Sequence, residues 1–223
     1  MAVGAILLGG GRGERLGWKD PKAFASLDGR TLLERAVSAV ESCSRVEGFV
    51  VMAPEGWEGR SRTVVGPRPR LVDVVAGGVT RQDSVRRGLE ALPDVFDIVV
   101  CHDVARPLAP PALFDAVLDG LAGSDGAVPS VPVTDTIKRV DDGMVAETVH
   151  RDGLVLVQTP QAFARAALVA AHRAAEAEGF TGTDDASLLE RAGFRVAAVP
   201  GDPTNIKITR PEDVAVASAL ARG

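Results

Sequence analysis

A short apolar run from Val3 to Leu8 passes straight into Gly9, Gly10, Gly11, Arg12 and Gly13, and this junction narrows the possible folds more than any other stretch of the chain. A continuous apolar run bounded by turn residues reads as a strand buried on both faces, as in parallel sheets. The glycines behind it let backbone N–H groups approach an anion without side-chain obstruction. The loop lacks the Gly-Lys-Ser/Thr ending of a Walker loop, and Leu16 stands where a dinucleotide fingerprint needs its third glycine. It offers Arg12, Arg15, Lys19 and Lys22 instead, four cations close behind a strand.

Further along, strand and helix patterns alternate. Leu32, Leu33, Ala36, Val37 and Val40 recur at helical spacing and predict a helix over 31–43. Strands are expected over 46–53, 71–75, 97–101 and 126–133, the last broken by prolines that suggest an edge or exit. Helices are expected over 83–92, with Asp83 and Ser84 at its start, and over 110–121. Residues 136–140 and 145–149 flank Asp141-Asp142-Gly143 and predict a β-hairpin standing apart from this alternation. Beyond it come a strand over 154–158, an alanine-rich helix over 164–178, a helix over 185–192, a strand over 195–199 and a last helix from Pro211. The fold class implied is α/β, a Rossmann-like, mostly parallel sheet with flanking helices and a protruding β-hairpin arm. One domain over 1–223 is expected, with 134–153 as the arm. Ligands should bind beyond the carboxyl ends of the strands.

The net charge of −5 argues against broad attraction to nucleic acid or an anionic membrane, so an anionic ligand needs a local cationic cluster. No apolar run near the start is long enough to span a bilayer and no leader is evident, so a cytoplasmic location is expected. Cys43 and Cys101 lie in apolar contexts and read as buried free thiols. Lysine is scarce, confined to Lys19, Lys22, Lys138 and Lys207, and its ammonium is a compact point charge that arginine does not replace. His102 beside Asp103 invites an acid–base reading, but strand neighbours point to opposite faces, so a structural histidine is expected. His150 and His172 show no zinc-binding spacing.

GGGRGERLG followed by DPKAF is similar to the G-x-G-x-R…P-K signature of sugar-phosphate nucleotidyltransferases. GGVTRQDSVRRGL, HDVARP, PVTDTIK, QTPQAF, TDDASLLE and NIKITRPED then follow in the order found in the 2-C-methyl-D-erythritol 4-phosphate cytidylyltransferase family, and the resemblance covers nearly the whole chain. The chain departs from the family pattern at Gly9 and Gly10, where alanines are usual, and at Ala23, commonly a glutamine.

The resemblance implies transfer of CMP from CTP to the sugar-alcohol phosphate with release of pyrophosphate, in non-mevalonate isoprenoid synthesis. It assigns Arg15 and Lys22 to the α-phosphate, Gly9, Gly10 and Gly11 to the triphosphate, and Gly78, Ser84 and Asp103 to nucleotide contact. Arg106, Thr136, Arg151, Thr159 and Thr183 fall around the methylerythritol phosphate; Arg151 and Lys207 complete the reactive set by positioning reactants. Mg²⁺ is the expected cofactor, held largely by phosphate oxygens and water, with Asp103 the nearest acidic candidate for the metal. A homodimer exchanging arms is implied, and no cyclase-like extension is expected after Gly223.

Read without its neighbours, Thr183 is equally a cap for the helix begun by Asp184 and Asp185. Two rivals stay open: a cytidylyltransferase for another polyol phosphate such as ribitol 5-phosphate, and a catalytically silent nucleotide-binding module that kept the fold.

Overall fold

The computed structural model describes residues 1–10 and 20–222. β1 (Ala2–Leu8) leads to a short 3-10 turn at Lys22–Phe24 and the small ladder β2 (Ser26–Leu27) with β3 (Arg30–Thr31). Then follow α1 (Leu32–Ser42), β4 (Val46–Ala53), α2 (Glu58–Val65), β5 (Leu71–Ala76), α3 (Arg81–Ala91), β6 (Phe96–Asp103) and α4 (Pro111–Asp119). The second half holds β7 (Gly126–Pro132), β8 (Ile137–Asp141), β9 (Met144–Val149), β10 (Val155–Val157), β11 (Gln161–Ala164), α5 (Arg165–Glu178), α6 (Asp185–Arg191), β12 (Val196–Pro200) and α7 (Pro211–Ala221).

The main sheet runs β10-β7-β11-β6-β1-β4-β5, with β12 also paired to β7. β1, β4, β5 and β6 are mutually parallel, while β11 lies antiparallel between β6 and β7. The α/β reading with a mostly parallel sheet therefore holds. β1 shows why its sequence has no polar face. Val3, Ala5 and Leu7 pack toward α1 and α4, and Ile6 faces the layer built from α3, α5 and α6. With helices on both sides, each strand position meets apolar neighbours, and the period-2 signal disappears.

Local chemistry explains the element starts. α1 is capped by Thr31, whose hydroxyl accepts from the Glu34 N–H while Glu34 accepts from the Thr31 N–H. The same device opens α3, with Thr80 as the cap and Asp83 as the reciprocal acid. The helix expected from Asp83 thus begins at Arg81, and the cap is Thr80 rather than Asp83 or Ser84. α2 has no counterpart in the sequence reading because Ser61 and Val65 are its only buried residues, too few for an apolar stripe.

The prolines of β7 do not make it an edge. Parallel β12 flanks one side and antiparallel β10 and β11 the other, and Pro129 lacks only a donor: its carbonyl accepts from Gln158 N–H at 2.8 Å. The expected strand over 154–158 is β10, and a further strand, β11, follows after Thr159 and Pro160. β8 and β9 form their own two-stranded sheet around Asp142 and Gly143, both at positive φ, the combination a tight hairpin turn demands. Among the described residues no helix is long and apolar enough to cross a membrane.

Phe163 of β11 is fully buried and fills the space above Gly126, where an added Cβ would come within 2.7 Å of its ring. Phe163→Ala should therefore cost roughly 3–5 kcal/mol. Urea titration should show a lower midpoint at unchanged slope; a loss under about 1 kcal/mol would deny that this contact holds β11 to β7.

Candidate active site

The carboxyl ends of β1, β4, β5 and β6 meet where three loops converge. Gly9 N–H donates to Met52 carbonyl at 2.9 Å and Gly77 N–H to Ala53 carbonyl at 2.8 Å, so the chain leaving β1 lies against the chain leaving β5. A Cβ on Gly78 would fall 2.2 Å from Asp83 Cβ, so only glycine permits this loop to fold back on the α3 cap. Ser84 Oγ then accepts from Gly78 N–H at 2.9 Å and donates to Thr80 carbonyl at 2.9 Å, which fixes the loop. Gly10 sits across from it, its would-be Cβ 3.5 Å from Gly77 Cα and 3.6 Å from Ser84 Oγ.

At the end of β6, buried Asp103 is held from three directions. Its N–H donates to Thr159 Oγ1 at 3.0 Å, Lys207 Nζ lies 2.6 Å from Oδ2, and Arg81 Nε donates to Oδ1 at 3.3 Å. Burial pushes its carboxyl up, but Arg81 and Lys207 more than offset this and hold it well below the usual carboxylate range. Both oxygens are taken up by cations, so the arrangement does not fit Asp103 to a divalent metal. Among the described residues no group of three histidine, cysteine or acidic side chains could hold a metal ion.

Lys207 reaches this point on a pinned loop. Ile208 N–H donates to Ala105 carbonyl at 2.8 Å, and Ile208 is itself buried. Asn205 Nδ2 donates to Thr159 carbonyl at 2.9 Å, while Gln158 Nε2 donates to Asp202 carbonyl at 2.8 Å. Lys22 Nζ donates to Ile208 carbonyl at 3.0 Å, which brings the Pro-Lys motif beside Lys207 across 186 positions of sequence.

The sequence-expected residues thus divide. Gly9, Gly10, Lys22, Gly78, Ser84, Asp103, Thr159 and Lys207 surround one strand-end region. Arg106 adjoins it but spends two nitrogens on main chain, Nη1 on Asn205 carbonyl at 2.7 Å and Nη2 on Val157 carbonyl at 3.2 Å. Thr183 is exposed just before α6, whose cap is Asp184, so the capping alternative for Thr183 does not apply. Thr136 and Arg151 stand exposed at the arm's base, where Arg151 donates to Thr134 carbonyl. Gly11 and Arg15, with Arg12 and Lys19, lie outside the described residues.

His102 is structural, as strand alternation implied. It is fully buried, its ring 5.3 Å from Phe114 and its Nδ1 3.2 Å from Thr159 Oγ1. Sequence reasoning passed over Arg81 and Asp185, which link Asp103 to the layer behind the sheet. Both stand in quoted motifs, but nothing in the sequence shows that residues 104 positions apart form an ion pair.

The chain matches the family described as "IspD: 2-C-methyl-D-erythritol 4-phosphate cytidylyltransferase" over residues 3–222. Two curated proteins of the same description resemble it closely. That of Frankia casuarinae is 45% identical across 98% of this chain and 80% of its own length. That of Rhodococcus jostii is 46% identical across 98% and 94%. Among solved structures, the cytidylyltransferase of Thermus thermophilus superposes with a TM-score of 0.82 at 37% identity, covering all of both chains. The 4-diphosphocytidyl-2C-methyl-D-erythritol synthase of Anaerococcus prevotii gives 0.87 at 28%, covering 100% of this chain and 99% of that one.

Burial pushes the His102 ring down to about 4, so it is neutral in the fold at neutral pH. An unfolded imidazole near 6.5 binds its proton first, so this contribution is complete above about pH 6.5 and is lost as pH falls toward 4. The loss should be on the order of 3 kcal/mol. Denaturant titrations at pH 4.5 and 7.5 should show a smaller pH difference in His102→Asn than in the parent chain; equal differences would contradict the assignment.

Proposed function

The chain belongs to the 2-C-methyl-D-erythritol 4-phosphate cytidylyltransferase family, and from that premise we infer how its strand-end site carries the reaction. The enzyme transfers the cytidylyl group of CTP to 2-C-methyl-D-erythritol 4-phosphate, a step of isoprenoid biosynthesis. The single observation that best supports the site is the meeting of Lys22, Lys207 and Asp103 beside the glycine contacts of Gly10, Gly77 and Gly78.

In this reaction a phosphate oxygen of the sugar-alcohol phosphate attacks the α-phosphorus of CTP. The new P–O bond forms as the bond to the bridging oxygen breaks, and pyrophosphate leaves with that electron pair. The attacking oxygen is already ionised, so no side chain has to remove a proton from it. The barrier is electrostatic: anionic reactants must be aligned while negative charge builds on the phosphoryl oxygens and the leaving group. Lys22 and Arg15 are the groups proposed to meet that charge, and Lys207, steered by Asp103, to align the reactants. Gly9, Gly10, Gly11, Gly78 and Ser84 take the nucleotide, and Arg106, Thr136, Arg151, Thr159 and Thr183 the sugar phosphate. Mg²⁺ belongs to this reading as a companion of the triphosphate: it would be held largely by phosphate oxygens and water and would neutralise phosphate charge, with Asp103 already paired to Arg81 and Lys207.

Assembly is part of the same proposal. Val140, Met144 and Val145 are more than half exposed on a hairpin that no other strand extends among the described residues. A two-stranded sheet is marginal in water unless a surface covers it, and a second copy of the chain is the proposed cover. The family resemblance implies that exchange of arms carries Arg151 and Thr159 toward the neighbour's pocket; Thr159 is instead buried beside Asp103 of its own chain, accepting from its N–H at 3.0 Å, so Arg151 alone of the two remains in this proposal. A cytoplasmic location agrees with the substrates.

The direct test is pyrophosphate release with CTP, Mg²⁺ and methylerythritol phosphate, run beside ribitol 5-phosphate and beside UTP, ATP and GTP. CTP with methylerythritol phosphate should be the most efficient combination; equal efficiency with a second sugar phosphate or nucleotide would count against the specificity assigned.

Lys22→Ala and Arg15→Ala should each lower turnover at least about a hundredfold with little change in melting temperature. Near-normal turnover of either folded variant removes that residue from the mechanism. Mixing Lys22→Ala with Arg151→Ala should restore activity through a heterodimer having one intact site. No recovery despite demonstrated subunit exchange would rule out arm sharing.

A further inference from the structure

Behind Asp103 the charges continue in a line that the reaction, as described, does not use. Arg81 donates from Nε to Asp103 at 3.3 Å and from Nη1 to Asp185 Oδ2 at 2.6 Å. Asp185 Oδ1 lies 3.2 Å from His172 Nε2, which must carry its proton there because an ionised carboxylate only accepts. Asp185 is completely buried and His172 nearly so. From the site inward the order is Lys207, Asp103, Arg81, Asp185, His172, with opposite charges adjoining along the first four.

Each member comes from a different piece of the fold. Arg81 is the first residue of α3, directly behind the Gly77-Gly78 turn; Asp103 ends β6; Asp185 is the first residue of α6, two positions after Thr183; Lys207 lies before α7. One guanidinium therefore ties the nucleotide-side loop to the strand end and to the helix start on the sugar-phosphate side. Only a fork of fixed N–H groups reaches both carboxylates, since an ammonium is a single point. Burial opposes the charge of Arg81, but Asp185 and Asp103 outweigh it and hold the guanidinium firmly charged, while its Nη2 is buried with no partner among the described residues.

We propose that Arg81 and Asp185 are positioning residues for cytidylyl transfer, the Arg81 fork setting the Asp103 carboxylate and, through it, the place of the Lys207 ammonium. Without the fork, Asp103 keeps the Lys207 ion pair alone and can follow that side chain toward solvent. With it, the carboxylate is held from behind and Lys207 is drawn to a fixed point beside Lys22. The role rests on the site assigned above, and it is separable from that assignment by experiment.

The experiment is a double-mutant cycle on pyrophosphate release from CTP and methylerythritol phosphate, using Arg81→Lys, Asp103→Asn and their combination. Arg81→Lys keeps the charge and loses the fork. It should lower kcat at least about tenfold while the KM for CTP changes less than about threefold, and in the Asp103→Asn background it should change kcat less than about twofold. Losses that multiply across the two backgrounds would overturn the proposal, because a merely structural role for Arg81 does not depend on the Asp103 charge. So would wild-type turnover by a folded Arg81→Lys. Should that chain fail to fold, Asp185→Asn, which keeps side-chain size and a partner for His172, carries the same cycle with the same expected dependence on Asp103. The parent chain is the control: no pyrophosphate release from it would sink the assigned reaction itself, whereas release with multiplicative losses sinks only the positioning role.

Discussion

A carboxylate taken out of water at the end of a central strand must be neutralised where it stands, and the burial of Asp103 imposes that condition on everything around it. Lys207 meets it from the loop before α7 and Arg81 from the start of α3. Each is supported in turn: Lys207 by the anchored Ile208 and the Gln158 and Asn205 amides, Arg81 by a doubly bonded helix cap. Lys22 adds its ammonium beside this cluster. An acidic protein thereby concentrates cations at one place without becoming basic overall.

The sheet makes that concentration possible because it is closed on both faces. Residues of β1 alternate between two apolar layers, so the strands have no lateral freedom, and their ends present loops at fixed spacing. The antiparallel β11 is inserted beside β6, which sets Thr159 against Asp103 and the imidazole of His102. Thr159 thus serves the strand end in two ways, accepting from its backbone and closing the polar gap beside a buried ring.

Much of this was legible in the sequence where the signal is local. Apolar runs marked β1, β4 and β6, Asp142-Gly143 marked the hairpin, and the motif series marked Lys22, Asp103 and Lys207. Legibility ended where partners are distant or patterns short. β11 is four residues with no alternation, α2 buries almost nothing, and Pro129 looked like an edge because the bond its carbonyl accepts from Gln158 cannot be seen in a one-dimensional pattern. The hydrogen bonds from Arg106 to the Asn205 and Val157 carbonyls depend on two loops meeting in space, and no local pattern shows them. The Arg81–Asp185 pair was hidden for the same reason.

The contact between Lys22 and the Ile208 carbonyl joins the two extremities of the chain, and Lys207 reaches back over about half of it to Asp103. Neither contact can form before residues 205–208 have been made. While the chain is being synthesised, the glycine loop and Asp103 emerge with no ammonium from the Asn205–Ile208 segment to meet them. A partly made chain can therefore pair Asp103 with Arg81 alone, and the second cation, with the contact from Lys22 to the Ile208 carbonyl, is added only when the last part of the chain arrives.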